Sequence, residues 1–249
     1  MILSKRQIDR VFALAAMLAL IPTGLSLAEN QPALSTENFD FGYIVPNASY
    51  GHAFWLKASG DDTLTVTEVK NCCGVAVSLP TELSIAPGDS LEVSTNWQTR
   101  GFIGRQKRSV YFYFEPATEP LEVILSGYIV TKLDSAASLV LTPDRIDWPA
   151  KTGAGGWKTR IRLDNRLDYP LVLGLVEKSA EFGVDLPDSL AAGASGVISV
   201  FTDGTRSGSE FEGSVTLEIE GNQSPPFRLS IPIRQGDFSF RPDFTTNKE

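Results

Sequence analysis

Residues that carry chemistry are scarce in this chain. Its 249 residues include one histidine, His52, and two cysteines, Cys72 and Cys73. A Ser-His-Asp triad would have to centre on His52, and no Gly-x-Ser-x-Gly turn is present to present a nucleophile. The glycine-rich run Gly153-Ala154-Gly155-Gly156 lacks both the lysine of a phosphate-binding loop and a following helix, so it reads as a hairpin tip. Catalysis is therefore not expected. Positive charge is short as well: 22 Lys and Arg face 30 Asp and Glu, a formal net charge of -8. Such a chain is repelled by nucleic acid and by anionic membrane surfaces. The acids are scattered, as in Asp61-Asp62, and form a solvated surface rather than an acidic tail. No amphipathic helical period is found beyond the first 28 residues.

Those first residues read as an export signal. Lys5, Arg6 and Arg10 precede an apolar run from Val11 to Ile21, and Ser26-Leu27-Ala28 supplies the small residues of a cleavage site. The alternative is an uncleaved anchor, but a spanning helix needs roughly 20 apolar residues. Cleavage after Ala28 removes Lys5, Arg6, Arg10 and Asp9 and takes the formal charge from -8 to -10. A soluble, periplasmic or extracellular mature chain is expected.

What the chain has in quantity is repetition. Phe39, Phe41, Phe54, Leu56, Leu64, Val66, Val69, Val77, Leu79 and Pro80 recur 107 residues later as Ile146, Trp148, Ile161, Leu163, Leu171, Leu173, Val176, Val184, Leu186 and Pro187. Beyond Pro80 the spacing shortens to 105, pairing Ile85 with Leu190 and Phe112 with Leu217, as a loop deletion would produce. Within each copy apolar and polar residues alternate, as in Leu64-Thr65-Val66-Thr67, which argues for half-buried strands. About seven short strands per copy, separated by Gly, Pro and Asp, suit an immunoglobulin-like sandwich. The fold class expected is all-β, with two tandem immunoglobulin-like sandwiches: residues 1–28 as signal, 29–131 as the first domain, 132–138 as linker, 139–236 as the second domain. The tail, 237–249, has no counterpart in the first copy and is expected to be partly disordered.

The first copy resembles the DUF1573 family of exported bacterial proteins. The residues that carry the resemblance are Phe39-Asp40-Phe41-Gly42, Phe54-Trp55-Leu56, Leu64 to Val69, Asn71-Cys72-Cys73-Gly74, Ile85-Ala86-Pro87-Gly88-Asp89 and Gly104. Where this chain has Cys72-Cys73-Gly74-Val75, family members usually show cysteine, glycine, cysteine, threonine. The resemblance implies an immunoglobulin-like fold, related to sandwich domains of ciliary and sperm-protein type, and a binding or structural role without an established catalytic residue.

The duplicated copy acts as a control, because a residue present in one copy only is not required by the fold. Cys72 and Cys73 correspond to Ser179 and Ala180. Exposed thiols in an oxidising compartment would oxidise to each other in a strained ring or to another molecule. The plainer reading is a partly buried pair with no partner. No cofactor is expected; the alternative is copper or zinc on the two thiolates, with His52 as the sole imidazole available. His52 shares strand parity with Phe54 and Leu56, which places it near the core edge.

Tyr111 and Tyr113 correspond to Thr216 and Glu218, and Trp55 to Arg162, so the first copy carries aromatics where the second carries polar surface. If their strands share one sheet, Trp55, Tyr111 and Tyr113 form an exposed aromatic face suited to a partner, a peptide or a sugar ring. The competing reading is that the linker or second domain covers them. Arg100, Arg105, Lys107 and Arg108 are the one basic patch, read as a solvated hairpin with an anion or envelope-polymer site as the alternative. The function expected is an exported, non-catalytic protein that binds a protein or cell-envelope polymer through the first domain. The alternative is a periplasmic metal-binding or thiol-redox protein.

Overall fold

The computed structural model describes residues 32–133, 139–150, 155–202, 210–221 and 224–236. The expected signal, the tail and most of the linker lie outside them. Among the described residues no helix is long and apolar enough to cross a membrane.

Period-two patterning becomes strands as expected. In β3 (Ser49–Ala58) the side chains of Tyr50, Phe54, Leu56 and Ala58 are buried while Trp55 and Lys57 are exposed. The first copy consists of β1 (Pro32–Leu34), β2 (Asn38–Ile44), β3, β4 (Leu64–Asn71), β5 (Val75–Ser78), β6 (Ser84–Ile85), β7 (Ser90–Gln98), β8 (Gly104–Glu115) and β9 (Leu121–Ile129). The second consists of β10 (Leu139–Thr142), β11 (Ile146–Trp148), β12 (Lys158–Asn165), β13 (Leu171–Lys178), β14 (Gly183–Asp185), β15 (Ser189–Leu190), β16 (Ser195–Phe201), β17 (Phe211–Gly221) and β18 (Ser224–Gln235). Among the described residues each copy thus has nine strands rather than about seven. Pieces such as the two-residue β6 and β15 are too short for alternation to reveal.

The two copies are built to one plan. One sheet runs β1-β3-β7-β5 and its counterpart β10-β12-β16-β14. Registers match as well: Phe54 lies opposite Val93 as Ile161 lies opposite Ile198, and Val66 opposite Phe114 as Leu173 opposite Ile219. The repeat spacings of 107 and 105 are therefore those of paired strands. Each copy closes its own core, one around Phe41, Phe54, Trp97 and Phe112, the other around Trp148, Ile161, Leu217 and Ile231.

Their second sheets are not separate. They join into one ten-stranded sheet ordered β15-β13-β17-β18-β2-β9-β8-β4-β6, with β11 also pairing β18. The join is a parallel bridge between Leu229 of β18 and Tyr43 of β2. Gly42 makes it possible: with φ at +69°, a Cβ there would fall 1.9 Å from the Arg228 carbonyl oxygen.

A second contact reinforces the join. Because β1 covers only residues 56–58 of β3, the opposite half of that strand has a free edge. The second sandwich caps it with side chains: Gly51 N–H donates to Ser214 Oγ at 3.1 Å and Ala53 N–H to Glu177 Oε1 at 2.7 Å. Ser49 Oγ donates to Glu212 Oε2, and Ser230 Oγ to the Phe41 carbonyl at 2.7 Å. These hydroxyls and carboxylates satisfy backbone donors and acceptors that burial would otherwise leave unpaired. Thr216 and Ser230, bonded to each other at 2.8 Å, are fully buried. This corrects the reading of Thr216 as polar surface.

Candidate functional site

The face equivalent to that buried interface is open on the first sandwich. In β8 the side chains of Val110, Phe112 and Phe114 enter the core, which turns Arg105, Lys107, Tyr111 and Tyr113 outward. Neighbouring strands complete rows across the face. Tyr43 of β2 lies opposite Tyr128 of β9, which lies opposite Arg105; Asp40, Ser126 and Lys107 form the next row. Further along, Glu122, Tyr111 and Lys70 stand side by side, then Tyr113 and Glu68. Tyr128 is 48% exposed and Tyr111 37% exposed, so the second sandwich does not cover them.

Local bonds order this face. Tyr111 Oη donates to Glu122 Oε1 at 3.0 Å, and that bond holds the phenol above its ordinary pKa range. The Glu122 carboxyl is held below its ordinary range, first by the Ser109 hydroxyl and then by Tyr111. The Lys70 ammonium sits 4.4 Å from the centre of the Tyr113 ring and 3.1 Å from Glu68, the contact that raises its pKa.

Trp55 does not belong to this face. It is 45% exposed, but β3 lies in the other sheet of the sandwich, whose outer surface points the opposite way. The expected trio is therefore split, and Tyr43, Tyr128 and Phe227 take the place of Trp55. Alternation within a strand marks Tyr128 as outward, but it places Tyr43 with buried Phe41 and Phe227 with buried Leu229, and only the irregularity of β2 between Asp40 and Tyr43 turns the Tyr43 ring out. Nor could alternation show that β2 pairs with β9 in parallel, which brings Tyr43 beside Tyr128.

At the join a cleft of about 360 Å³ opens between the sandwiches, lined by Asp40, Tyr43, Arg105, Tyr128, Phe227 and Arg228 among others. Pro225 and Pro226 have no N–H to donate, so β18 pairs with β2 only at Leu229 and the strands leave a gap beside it. The Tyr43 ring meets Tyr128 edge-on at 5.9 Å and Phe227 at 6.1 Å between centroids. Arg228 is paired with Glu218 at 3.0 Å, whereas Arg105 makes no salt bridge among the described residues.

The basic patch is divided too. Arg105 and Lys107 point outward, but Arg108 folds against Trp97 and Phe102, 5.6 and 5.3 Å from their ring centres, and Arg100 lies in a turn with φ at +44°. Arg108 Nε donates to the Cys73 carbonyl at 3.1 Å and thereby braces the cysteine turn. Val75 N–H donates to the Cys72 carbonyl, Gln98 N–H to the Gly74 carbonyl and Asn71 Nδ2 to the Val75 carbonyl. Both cysteines are free and exposed, rather than a partly buried pair.

His52 is not brought to them. It is buried under the second sandwich, its ring stacked 3.9 Å from that of Phe39 and its Nδ1 lying 2.5 Å from Glu177 Oε2. A three-ligand site of Cys72, Cys73 and His52 is therefore not assembled, because β3 carries the imidazole into the interface. Among the described residues no three His, Cys, Asp or Glu side chains converge as metal ligands.

Residues 33–129 match the model of DUF1573, a protein of unknown function. The first sandwich is a DUF1573 domain. No curated protein matches the chain. Among solved structures, a protein of unknown function from Porphyromonas gingivalis is 15% identical over 81% of this chain and 98% of its own, with a TM-score of 0.34. The ASH/PapD-like domain 7 of human CEP192 is 13% identical over 41% of this chain and 86% of its own, TM-score 0.33. SSP-19, an MSP-domain-like protein of Caenorhabditis elegans, is 14% identical over 39% of this chain and 98% of its own, TM-score 0.32. Scores of this size carry no functional argument beside the geometry of the DUF1573 face.

Proposed function

We propose that the chain is an exported, non-catalytic protein that binds a protein or polymer of the cell envelope through the open outer face of its DUF1573 domain. One observation carries the reading. On the duplicated sandwich the positions Ser214, Thr216 and Ser230 of this face are buried in the seam, whereas the first sandwich leaves the face open and lines it with Tyr43, Tyr111, Tyr113 and Tyr128. Exposed tyrosines offer large apolar area with a polar tip, the composition of recognition surfaces.

The test uses the duplication. Tyr111→Thr with Tyr113→Glu gives the first copy the residues of the second, and Trp55→Arg does the same on the opposite surface. Binding of the purified mature protein to a washed envelope fraction should weaken at least about ten-fold in the double variant, the loss of roughly 1.4 kcal/mol, and stay unchanged in Trp55→Arg. Equal binding by all three proteins would sink the proposal.

The exposure of both cysteines favours a second reading, a thiol-exchange or copper- or zinc-binding role for the Cys72-Cys73 turn without His52. Metal content and free-thiol counts of protein purified from the oxidising compartment test it: stoichiometric metal or a mixed disulfide supports it, and two free thiols without metal reject it.

A further inference from the structure

We infer that the cleft between the two sandwiches is a saccharide-binding site, holding a short segment of a glycan with a pyranose ring laid on Tyr128. The inference rests on the reading of the open face as the binding surface, of which the cleft is the end nearest the second sandwich.

Its lining has the character a sugar requires. A pyranose offers a flat patch of C–H bonds, which packs on an electron-rich aromatic face, and a rim of hydroxyls that both donate and accept. Tyr128 and Tyr43 supply rings held edge to face at 5.9 Å, and Phe227 supplies the far wall. Arg105, directly opposite Tyr128 in the β8–β9 ladder, supplies guanidinium donors that make no salt bridge among the described residues. Carboxylates of Asp40 and Glu218 supply acceptors. Two arginines and two carboxylates balance in charge, as suits a ligand rich in hydroxyl groups. The volume of about 360 Å³ lies within the range of small-ligand sites.

A peptide fits the cleft less well. Strand addition needs a run of free N–H and C=O groups, but on the cleft side of β2 the Tyr43–Leu229 bridge closes the gap, and the carbonyls of Phe41 and Asp40 already accept from Ser230 and Arg228. The nearby end of β18 is Pro225-Pro226, which has no N–H to give. Ring stacking and side-chain hydrogen bonds remain, and these suit a sugar.

The experiment titrates the mature chain with neutral hexasaccharides (cello-, malto- and chito-oligomers), an oligouronate and an acidic peptide, followed by amide NMR and calorimetry. One saccharide should move the signals of Gly42, Gly127 and Arg228, with affinity reduced about ten-fold in Tyr128→Ala and in Arg105→Gln, but unchanged in Trp55→Ala. A uronate response that Arg105→Gln abolishes identifies an acidic glycan, and an equal response to a neutral oligomer an uncharged one. Silence toward every saccharide, a response that Tyr128→Ala leaves intact, or a cleft shift produced by the peptide alone overturns the inference. If the saccharides are silent while the Tyr111, Tyr113 double variant still loses the envelope, the cleft assignment falls alone. If both are unaffected, the face reading falls with it.

Discussion

Replacing Glu177 by alanine tests how the two sandwiches are held together. Its Oε1 accepts the Ala53 N–H at 2.7 Å and its Oε2 lies 2.5 Å from His52 Nδ1, whose side chain is 4% exposed. Removal strands two donors inside the interface, and a buried donor left unpaired costs about 1–3 kcal/mol. The Glu177 side chain keeps 17% exposure, so water reaches part of the vacated space and the loss falls at about 2–4 kcal/mol. For a folded unit of 150–250 residues, each kcal/mol lowers Tm by about 2–4 °C, so scanning calorimetry should show a drop of roughly 5–15 °C. Glu177→Gln keeps an acceptor for Ala53 and should lose about half as much. Amide exchange gives the local readout: the Ala53 N–H should exchange faster in Glu177→Ala than in wild type, beyond the change in global stability. A melting temperature within about 1 °C of wild type, together with unaltered protection at Ala53, would refute the claim that this carboxylate caps the β3 edge.

Tyr50 gives a test inside the first core. Its buried hydroxyl accepts the Val45 N–H at 2.8 Å, so Tyr50→Phe should cost about 1–3 kcal/mol in urea unfolding. Burial holds the Tyr50 hydroxyl above the ordinary tyrosine range, and a raised folded pKa contributes stability in full below about pH 10 and loses it as pH rises further. The alkaline fall in wild-type stability should therefore be shallower in Tyr50→Phe; equal slopes would contradict this. At the other end of the domain, Cys72→Ser with Cys73→Ser should change stability by less than about 0.5 kcal/mol, because both side chains are exposed and the turn is held by backbone groups, Asn71 and Arg108. Both wild-type thiols should react with a thiol reagent in the native chain, and a slow or partial reaction would count against their exposure.

Much of the fold was legible because strand alternation is local. The constant spacing from Phe54 to Ile161 and from Phe114 to Ile219 identifies residues that do pair in equivalent registers. The same comparison misled at the outer faces. Thr216 differs from Tyr111 because it lies in the buried interface, and Glu177 differs from Lys70 in role because it caps a foreign strand edge. A difference between copies thus marks either a ligand surface or the seam between the copies themselves, and residue types alone do not separate the two. Trp55, Tyr111 and Tyr113 were each read correctly as outward, but their grouping required knowing which sheet each strand enters.

Residue order alone settles whatever repeats over a few residues or over one copy length: all-β character, the duplicated module, the inward and outward sides of the regular strands, and the DUF1573 resemblance. The tertiary structure decided the sharing of one sheet between the copies, the burial of His52 away from Cys72 and Cys73, and the union of Tyr43, Tyr128, Arg105 and Phe227 around one cleft. Those outcomes depend on contacts between strands far apart in the chain, some within the first sandwich and some at the seam where each sandwich satisfies the other's exposed edge. A period of two within one strand carries no record of either.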